Sequence, residues 1–431
     1  MARAHAYPPE LSSYVEANWP ADSPLRIPSR LLDQALSVAF QASLTAEETR
    51  PTRFRLLLTR SGDLPETGAP NEGVLRLKFD HPRPLNSNEL RRLSPAAPFE
   101  TSLIGVEPHE DHLRIWGLAH SGPAWLAPSW GGRSPVPDWT YDPIIHVTGP
   151  GKLAVRRAGK LIGAIERGTL IDTTLDVFES EWLPALFARE REEVRSQHAA
   201  EQALSAIPTA AEHSLIGRVA QHMLRRTIQL VRNARHGGML LVVDTDSALA
   251  TPAAERWNDL GARPLRGLRL KYRFDADEPS HRYRTLLLQI LNLLAAESEK
   301  PSVGWNDFVS NTSADLEKLE QSVFELSRVM ANLAAIDGAV VLDKRFGVLG
   351  FGAEVSPELP SPACAFRALD LEGRSREADE IENVGTRHRA AYRFVNDHPA
   401  GLAVVISQDG GVSFVANRGG AVVFWEHSVS P

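Results

Sequence analysis

A single cysteine, Cys364, in 431 residues leaves no partner for an intrachain disulfide or for a thiolate metal site. Long apolar runs are also missing. The longest, Leu286 to Ala296, is about half a membrane span and is interrupted by Gln289 and Asn292, which predicts a core helix. The first residues, Met1-Ala2-Arg3-Ala4-His5, continue into Pro8-Pro9 without the apolar core of a signal peptide. A cytoplasmic protein with no membrane partner is expected. Positive charge is not in surplus: 47 Lys and Arg face 54 Asp and Glu, a net charge of −7, so no global field draws the chain to DNA or RNA. The Gly-x-x-x-x-Gly-Lys-Ser/Thr phosphate loop, the Gly-x-Gly-x-x-Gly dinucleotide fingerprint and the His-Glu-x-x-His zinc helix are absent, and those enzyme classes lose their main support. No internal repeat or low-complexity tract is present.

What is there is ordinary for a globular protein, 43% hydrophobic and 23% charged, with length for two or three domains. Residues 1–177 read as an α+β domain: a helix over Pro28 to Ser43, then strands at Phe54–Leu58, Val74–Phe79, His112–Leu118, Ile144–Thr148 and Lys152–Arg156 between Gly/Pro-rich turns, mostly antiparallel. Residues 178–210 read as a helical connector. Its helix, Phe178 to Ile207, carries Arg189-Glu190-Arg191-Glu192-Glu193 on a solvated face, with Pro184 able to kink its first turn. Residues 211–431 read as a mixed α/β domain with an insertion at about 247–312. It opens with an amphipathic helix over Ser214 to Arg235, stopped by His236-Gly237-Gly238, and a first central strand, Met239–Val243.

Two motifs near the C-terminus carry the chemistry. Asp337-Gly338-Ala339 follows a helix over Ala314 to Ala335 and opens the apolar strand Ala339–Leu342. Gly385-Thr386-Arg387-His388-Arg389 reads as a loop becoming a helix: Gly385 supplies backbone freedom and Thr386 can cap. Free N–H groups at such a helix start attract phosphate oxygens. Arg387 and Arg389 add forked, charge-assisted hydrogen bonds, with His388 between them as donor or acceptor. Taken alone, the first is a turn before a strand and the second a solvated helix face.

In context the stretch Phe324 to Leu342, then Gly385 to Ala391, then Val404-Val405-Ile406-Ser407-Gln408, resembles the diadenylate cyclase domain, closest to its DNA-integrity scanning branch. The resemblance implies that two ATP molecules, one on each of two facing domains of a homodimer or higher homo-oligomer, are joined into cyclic di-AMP with Mg²⁺ or Mn²⁺ as cofactor. It implies that Asp337 binds the metal and helps activate the ribose 3′-hydroxyl. Gly338 and Ala339 would line the nucleotide's close approach, Gly385, Thr386, Arg387, His388 and Arg389 would hold the triphosphate, and Ser407 and Gln408 would complete the pocket. Asp409-Gly410-Gly411 departs from the basic residues expected after Ser407-Gln408. No helix-hairpin-helix region follows Gln408, so no DNA-binding domain is expected. Ile115-Trp116-Gly117-Leu118 and Gly149-Pro150-Gly151 resemble the amino-terminal region of sensor proteins built on a cyclase-like domain.

Other clusters read as structural. His109-Glu110-Asp111-His112 is a run of consecutive residues whose side chains diverge, as in a turn rather than a metal site. Arg263, Arg266, Arg269, Lys271 and Arg273 alternate partly with apolar residues, as in a half-buried strand with a cationic outer face, a phosphate-facing role staying open. Asp244 and Asp246 read as caps after a strand. Two functions therefore compete: a cyclase, or a non-catalytic sensor of a nucleotide second messenger that uses the same pocket. A scaffold without ligand is the third and blandest reading.

Overall fold

Phe54–Leu58 is buried at all five positions, so it must lie mid-sheet, covered on both faces. In the computed structural model it is β1, followed in the N-terminal unit by β2 (Leu75–Pro84), β3 (Ser102–His109), β4 (His112–His120), β5 (Ile144–Gly149), β6 (Lys152–Arg157), β7 (Lys160–Glu166) and β8 (Thr169–Ile171). The structure describes residues 5–21, 25–64, 74–122, 131–133, 138–166, 168–171, 175–203, 208–244, 265–274, 279–379, 381 and 384–427. The strands form one eight-stranded sheet in the order β8-β7-β6-β5-β1-β3-β4-β2. Pairing is antiparallel except between β1 and β3. Helices α1 (Pro8–Asn18), α2 (Ser29–Ser43) and α3 (Ser87–Leu93) bury Leu11, Val15, Leu32, Leu36 and Leu90 against one face. A smaller apolar cluster with Trp116, Phe99 and Leu57 fills the other.

The chain divides into two units between residues 174 and 175, and residues 178–210, read above as a connector, belong to the second. The long helix expected over Phe178 to Ile207 is broken. Trp182–Ala185 forms α4 and Ala188–Gln202 forms α5. Between them Phe187 leaves the helical region (φ −111°, ψ 17°) and stacks on Phe346, with ring centroids 5.4 Å apart. The charged run is not simply a solvated face either, since Glu190 is 7% exposed and paired with Arg189 at 2.9 Å.

In the second unit the helices are α6 (His213–Ala234), α7 (Pro279–Ala296), α8 (Trp305–Ser310), α9 (Ala314–Leu333) and α10 (Thr386–Asp397). The strands are β9 (Gly238–Val243), β10 (Leu268–Arg273), β11 (Ala339–Asp343), β12 (Val348–Val355), β13 (Ala365–Ala368), β14 (Arg376–Asp379), β15 (Leu402–Ile406), β16 (Val412–Arg418) and β17 (Ala421–His427). They build a nine-stranded sheet, β10-β12-β11-β9-β15-β16-β17-β13-β14. Strands β9, β11 and β15 are buried at every position, as continuous Val/Leu/Ile runs require. Edge strand β10 instead alternates, with Leu268 and Leu270 buried and Arg269 and Lys271 exposed. Arg269, Lys271 and Arg273 of the cationic strand read from the sequence lie on it, Arg266 precedes it in a turn, and Arg263 lies outside the described residues. Part of the expected insertion thus supplies a strand of the main sheet.

Residues of α5 to α9 pack on one face, around Leu215, Val219, Leu291 and Met330, and α10 packs on the other through Ala391, Phe394 and Val395. The protein is mixed α/β, with two large mixed sheets. Among the described residues no helix is long and apolar enough to cross a membrane.

Candidate functional site

Strand register brings the separate motifs to one sheet edge. Strand β9 runs parallel to β11, pairing Leu240 with Val340, and antiparallel to β15, pairing Gly238 with Ile406. Continuing the first register by two residues sets Gly238 level with Gly338, and continuing the second by one sets Gly237 level with Ser407. The starts of β9 and β11 and the end of β15 therefore share an edge. A Cβ built on Gly237 would meet Arg387 Nη1 and the Ile406 carbonyl oxygen, each at 2.9 Å. The first turn of α10 thus lies at the same edge, and Asp337-Gly338, Arg387 and Ser407-Gln408 are neighbours although 71 positions separate Asp337 from Gln408.

The Asp337 carboxylate is exposed and makes no hydrogen bond or ion pair among the described residues. Gly338 must be glycine for two reasons: φ is +109°, and an added Cβ would stand 2.6 Å from the Gly352 carbonyl carbon. Ala339 is 1% exposed and packs in the core beneath α10.

Helix α10 starts at Thr386 with Gly385 as N-cap, and no side chain among the described residues caps it. Thr386 is therefore inside the helix and not the cap expected of it. Gly385 has φ −63° and no atom within 4 Å of a built Cβ, so backbone freedom is not what this position needs. The uncapped start leaves the first N–H groups without helical partners, a positive pole for an anion. The half-buried guanidinium groups of Arg387 and Arg389 make no hydrogen bond or ion pair among the described residues. His388 instead ties the helix to β16, with Nε2 3.2 Å from Ser413 Oγ. Burial holds its pKa below the usual histidine value, against the opposing pull of Glu426 and Asp409.

Ser407 and its neighbours close a tight turn. The Ser407 N–H donates to the Gly411 carbonyl oxygen at 2.9 Å, and its hydroxyl lies against Asp409 Oδ1 and 3.1 Å from the Gly411 oxygen. Gln408 is exposed. Arg232 Nε at the end of α6 donates to the Gly410 oxygen at 2.8 Å. Arg232, Gly237 and Gly410 shape this edge and are missing from the sequence-based site, because their roles depend on strand register. Only the Gly-Gly pair after α6 hinted at them.

Among the described residues no three His, Cys, Asp or Glu side chains gather as a metal cage. His109 to His112 is the β3–β4 hairpin turn, with Glu110 at φ 53° and Asp111 paired to Arg30 at 2.5 Å. Asp244 pairs with Lys344 at 3.4 Å; Asp246 lies outside the described residues.

In the N-terminal unit the Trp116-Gly117 motif is a packing device. Trp116 lies flat over Gly105, where a Cβ would fall 2.0 Å from the indole ring, and its Nε1 donates to the Thr59 oxygen at 3.0 Å. Gly117 approaches β2 so closely that a Cβ would stand 2.1 Å from the Leu77 oxygen. Residues 24–120 match the family described as the probable sensor domain DACNV. The match covers β1 to β4 with α2 and α3, the sheet half that contains Trp116. The N-terminal unit is thus a sensor-type domain that precedes a further α/β domain. Comparison with curated proteins and with solved structures gives no significant match.

Proposed function

We propose that the second unit is a diadenylate-cyclase-like domain that joins two ATP molecules into cyclic di-AMP, under the influence of the DACNV-type sensor domain before it. The observation that carries this reading is the juxtaposition of Arg387 with Gly237, which brings the cationic helix start to the edge holding Asp337 and Ser407. An edge where, among the described residues, the Asp337 carboxylate and the Arg387 guanidinium are unpaired and the helix start is uncapped suits a polyphosphate ester. It also suits a reaction in which a second copy faces the first.

In the reaction the 3′-oxygen of one ATP attacks the α-phosphorus of the other, and pyrophosphate leaves. Repeating the step in the opposite sense closes the ring. No covalent enzyme intermediate is needed, so the protein's task is to position groups and stabilise charge. Arg387, Arg389 and the N–H groups of the first turn of α10 would hold the triphosphate in line, and Asp337 would orient the 3′-hydroxyl. The donor set fits a hydrated Mg²⁺ or Mn²⁺ held by the Asp337 carboxylate and the nucleotide's own phosphates, rather than a cage of protein ligands. Such an ion supplies charge neutralisation at the phosphates and a more acidic hydroxyl.

Incubating the full chain at high concentration with ATP and Mn²⁺ or Mg²⁺, and resolving products by mass, tests the reading. Cyclic di-AMP and pyrophosphate are expected. Asp337→Asn should abolish turnover while sparing most ATP binding. ATP binding without product would instead favour a non-catalytic nucleotide sensor, a reading supported by the DACNV match and by the Asp409 carboxylate at the phosphate edge. Arg387→Ala combined with Arg389→Ala leaving all nucleotide binding unchanged would remove both.

A further inference from the structure

At the other end of β11 from Asp337, the second unit holds a cleft with about 700 Å³ of empty space, including its solvent-open mouth. Its wall is mainly apolar: Leu183 of α4, Leu224 of α6 and Leu287 of α7 join Phe178 before α4, Phe187 between α4 and α5, and Phe346 in the β11–β12 turn. Ligand clefts share this character: an apolar body with few, placed polar groups.

Most of the charged groups on the wall are spoken for. Glu193 takes Arg345 at 2.7 Å and Arg284 at 3.4 Å, Glu190 takes Arg189 at 2.9 Å, and Lys344 takes Asp244 at 3.4 Å. Arg191 is the exception. It lines the cleft half-buried beside Gly217, its Nε is buried without a hydrogen-bond partner, and it has no ion pair among the described residues. Burial without a counter-charge depresses its pKa, as expected of a cation left unpaired in a poorly solvated place. A second polar group is also unsatisfied: Tyr283 is 4% exposed, lines the same cleft, and its hydroxyl has no partner among the described residues. A buried hydroxyl in that state needs an acceptor.

We propose that this cleft is a binding site for a small amphipathic carboxylate, whose apolar body lies among Phe178, Leu183, Leu224 and Leu287. The carboxylate sits on the Arg191 guanidinium, and the Tyr283 hydroxyl donates to a ligand oxygen. One negative charge matches Arg191, the one cation among the described residues of the wall that is left unpaired. A neutral ligand of the same shape leaves Arg191 uncompensated, and a polyanion finds no further free cation among those residues. The site is independent of the nucleotide reading, since it shares no residue with it.

Calorimetric titration of the full chain with octanoate and with octanol, below their aggregation concentrations, tests the proposal. Octanoate should bind saturably and octanol roughly tenfold more weakly or worse. Arg191→Gln should weaken octanoate by roughly tenfold or more and leave octanol unchanged, and Tyr283→Phe should cost about threefold. Where Arg191→Gln does not fold, Ala220→Phe fills the cleft from α6 and keeps the cation; loss of octanoate binding supports the site. Absence of saturable octanoate binding to the wild type, equal affinity for octanol, or octanoate affinity unaffected by Arg191→Gln or Ala220→Phe in a folded protein overturns it.

Discussion

The Arg387 guanidinium leans on the backbone of Gly237, close enough that a Cβ there would stand 2.9 Å from Nη1. The two residues are 150 positions apart, and their contact joins the start of β9 to the start of α10. Gly237 also has φ +67°, a conformation that costs an L-residue about 1 kcal/mol or more. Gly237→Ala should therefore lower the melting temperature and displace Arg387. Nucleotide affinity should fall by roughly threefold to tenfold. In a double-mutant cycle with Arg387→Ala the affinity losses should be less than additive, because both act through one contact. Additive losses would show that Gly237 matters only for the fold.

Gly338 and Gly385 flank the two halves of the site, yet the structure asks different things of them. At Gly338 a methyl group would meet the backbone of β12, 2.6 Å from Gly352 C and 2.8 Å from Ala353 N, with φ at +109°. Nothing there is the end of a flexible side chain, so relief requires moving β12. Gly338→Ala should cost about 2–3 kcal/mol, seen as a lower urea midpoint at unchanged slope. Gly385→Ala, in open space at φ −63°, should stay within about 1 kcal/mol. Equal losses at both positions would contradict this account.

How much of this was legible in the sequence follows from which interactions are local. Buried strands such as Met239–Val243 and Leu402–Ile406 announce themselves as uninterrupted apolar runs, and α6 and α9 as amphipathic stripes, because burial is written into each segment by itself. Asp337 and Arg387 could be singled out from local residue types. Their shared edge could not, since it depends on Leu240 pairing with Val340 and Gly238 with Ile406. Strand β17, Ala421–His427, is not among the expected strands although apolar, and Arg189 to Glu193 read as solvated because charge patterning does not reveal that Glu190 is buried while its partner Arg189 stays exposed. The break at Phe187 is tertiary too, coming from its stacking on Phe346.

In the sensor domain, Gly105 and Trp116 form a lock of the same kind across β3 and β4. The indole is fully buried, donates to the Thr59 oxygen, and occupies the space where a Gly105 side chain would be. A rigid ring in a packed cluster with Phe99 and Leu103 cannot step aside cheaply. Gly105→Ala should destabilise this domain by about 1–3 kcal/mol. Changed tryptophan emission should accompany the loss, and Gly62→Ala, where nothing lies within 4 Å, serves as the control. Unchanged stability and emission in Gly105→Ala would mean that the indole has another place to go.

Two buried groups in the second unit give pH responses of opposite sign. His427 is buried, its Nδ1 accepts from the Val177 N–H at 3.2 Å, and burial outweighs nearby Asp176 to bring its pKa to about 4 from an ordinary 6.5. The unfolded chain then binds the extra proton first, so this contribution is complete above pH 6.5 and is lost as pH falls towards 4. Asp343 is also buried, and burial raises its pKa to about 6 from 3.8, despite the N–H groups of Arg345 and Gly347 that donate to it. Here the folded chain holds the proton longer, so stability is lost as pH rises from about 4 to 6. Each effect is at most about 3 kcal/mol, at roughly 1.4 kcal/mol per pKa unit, and in the wild type they offset one another over the shared range. Unfolding free energies of wild type, His427→Asn and Asp343→Asn, measured from pH 4 to 7, separate them. The wild type's advantage over His427→Asn should grow with rising pH, and its advantage over Asp343→Asn should shrink. Parallel curves for all three proteins would mean that neither group is held as its burial demands.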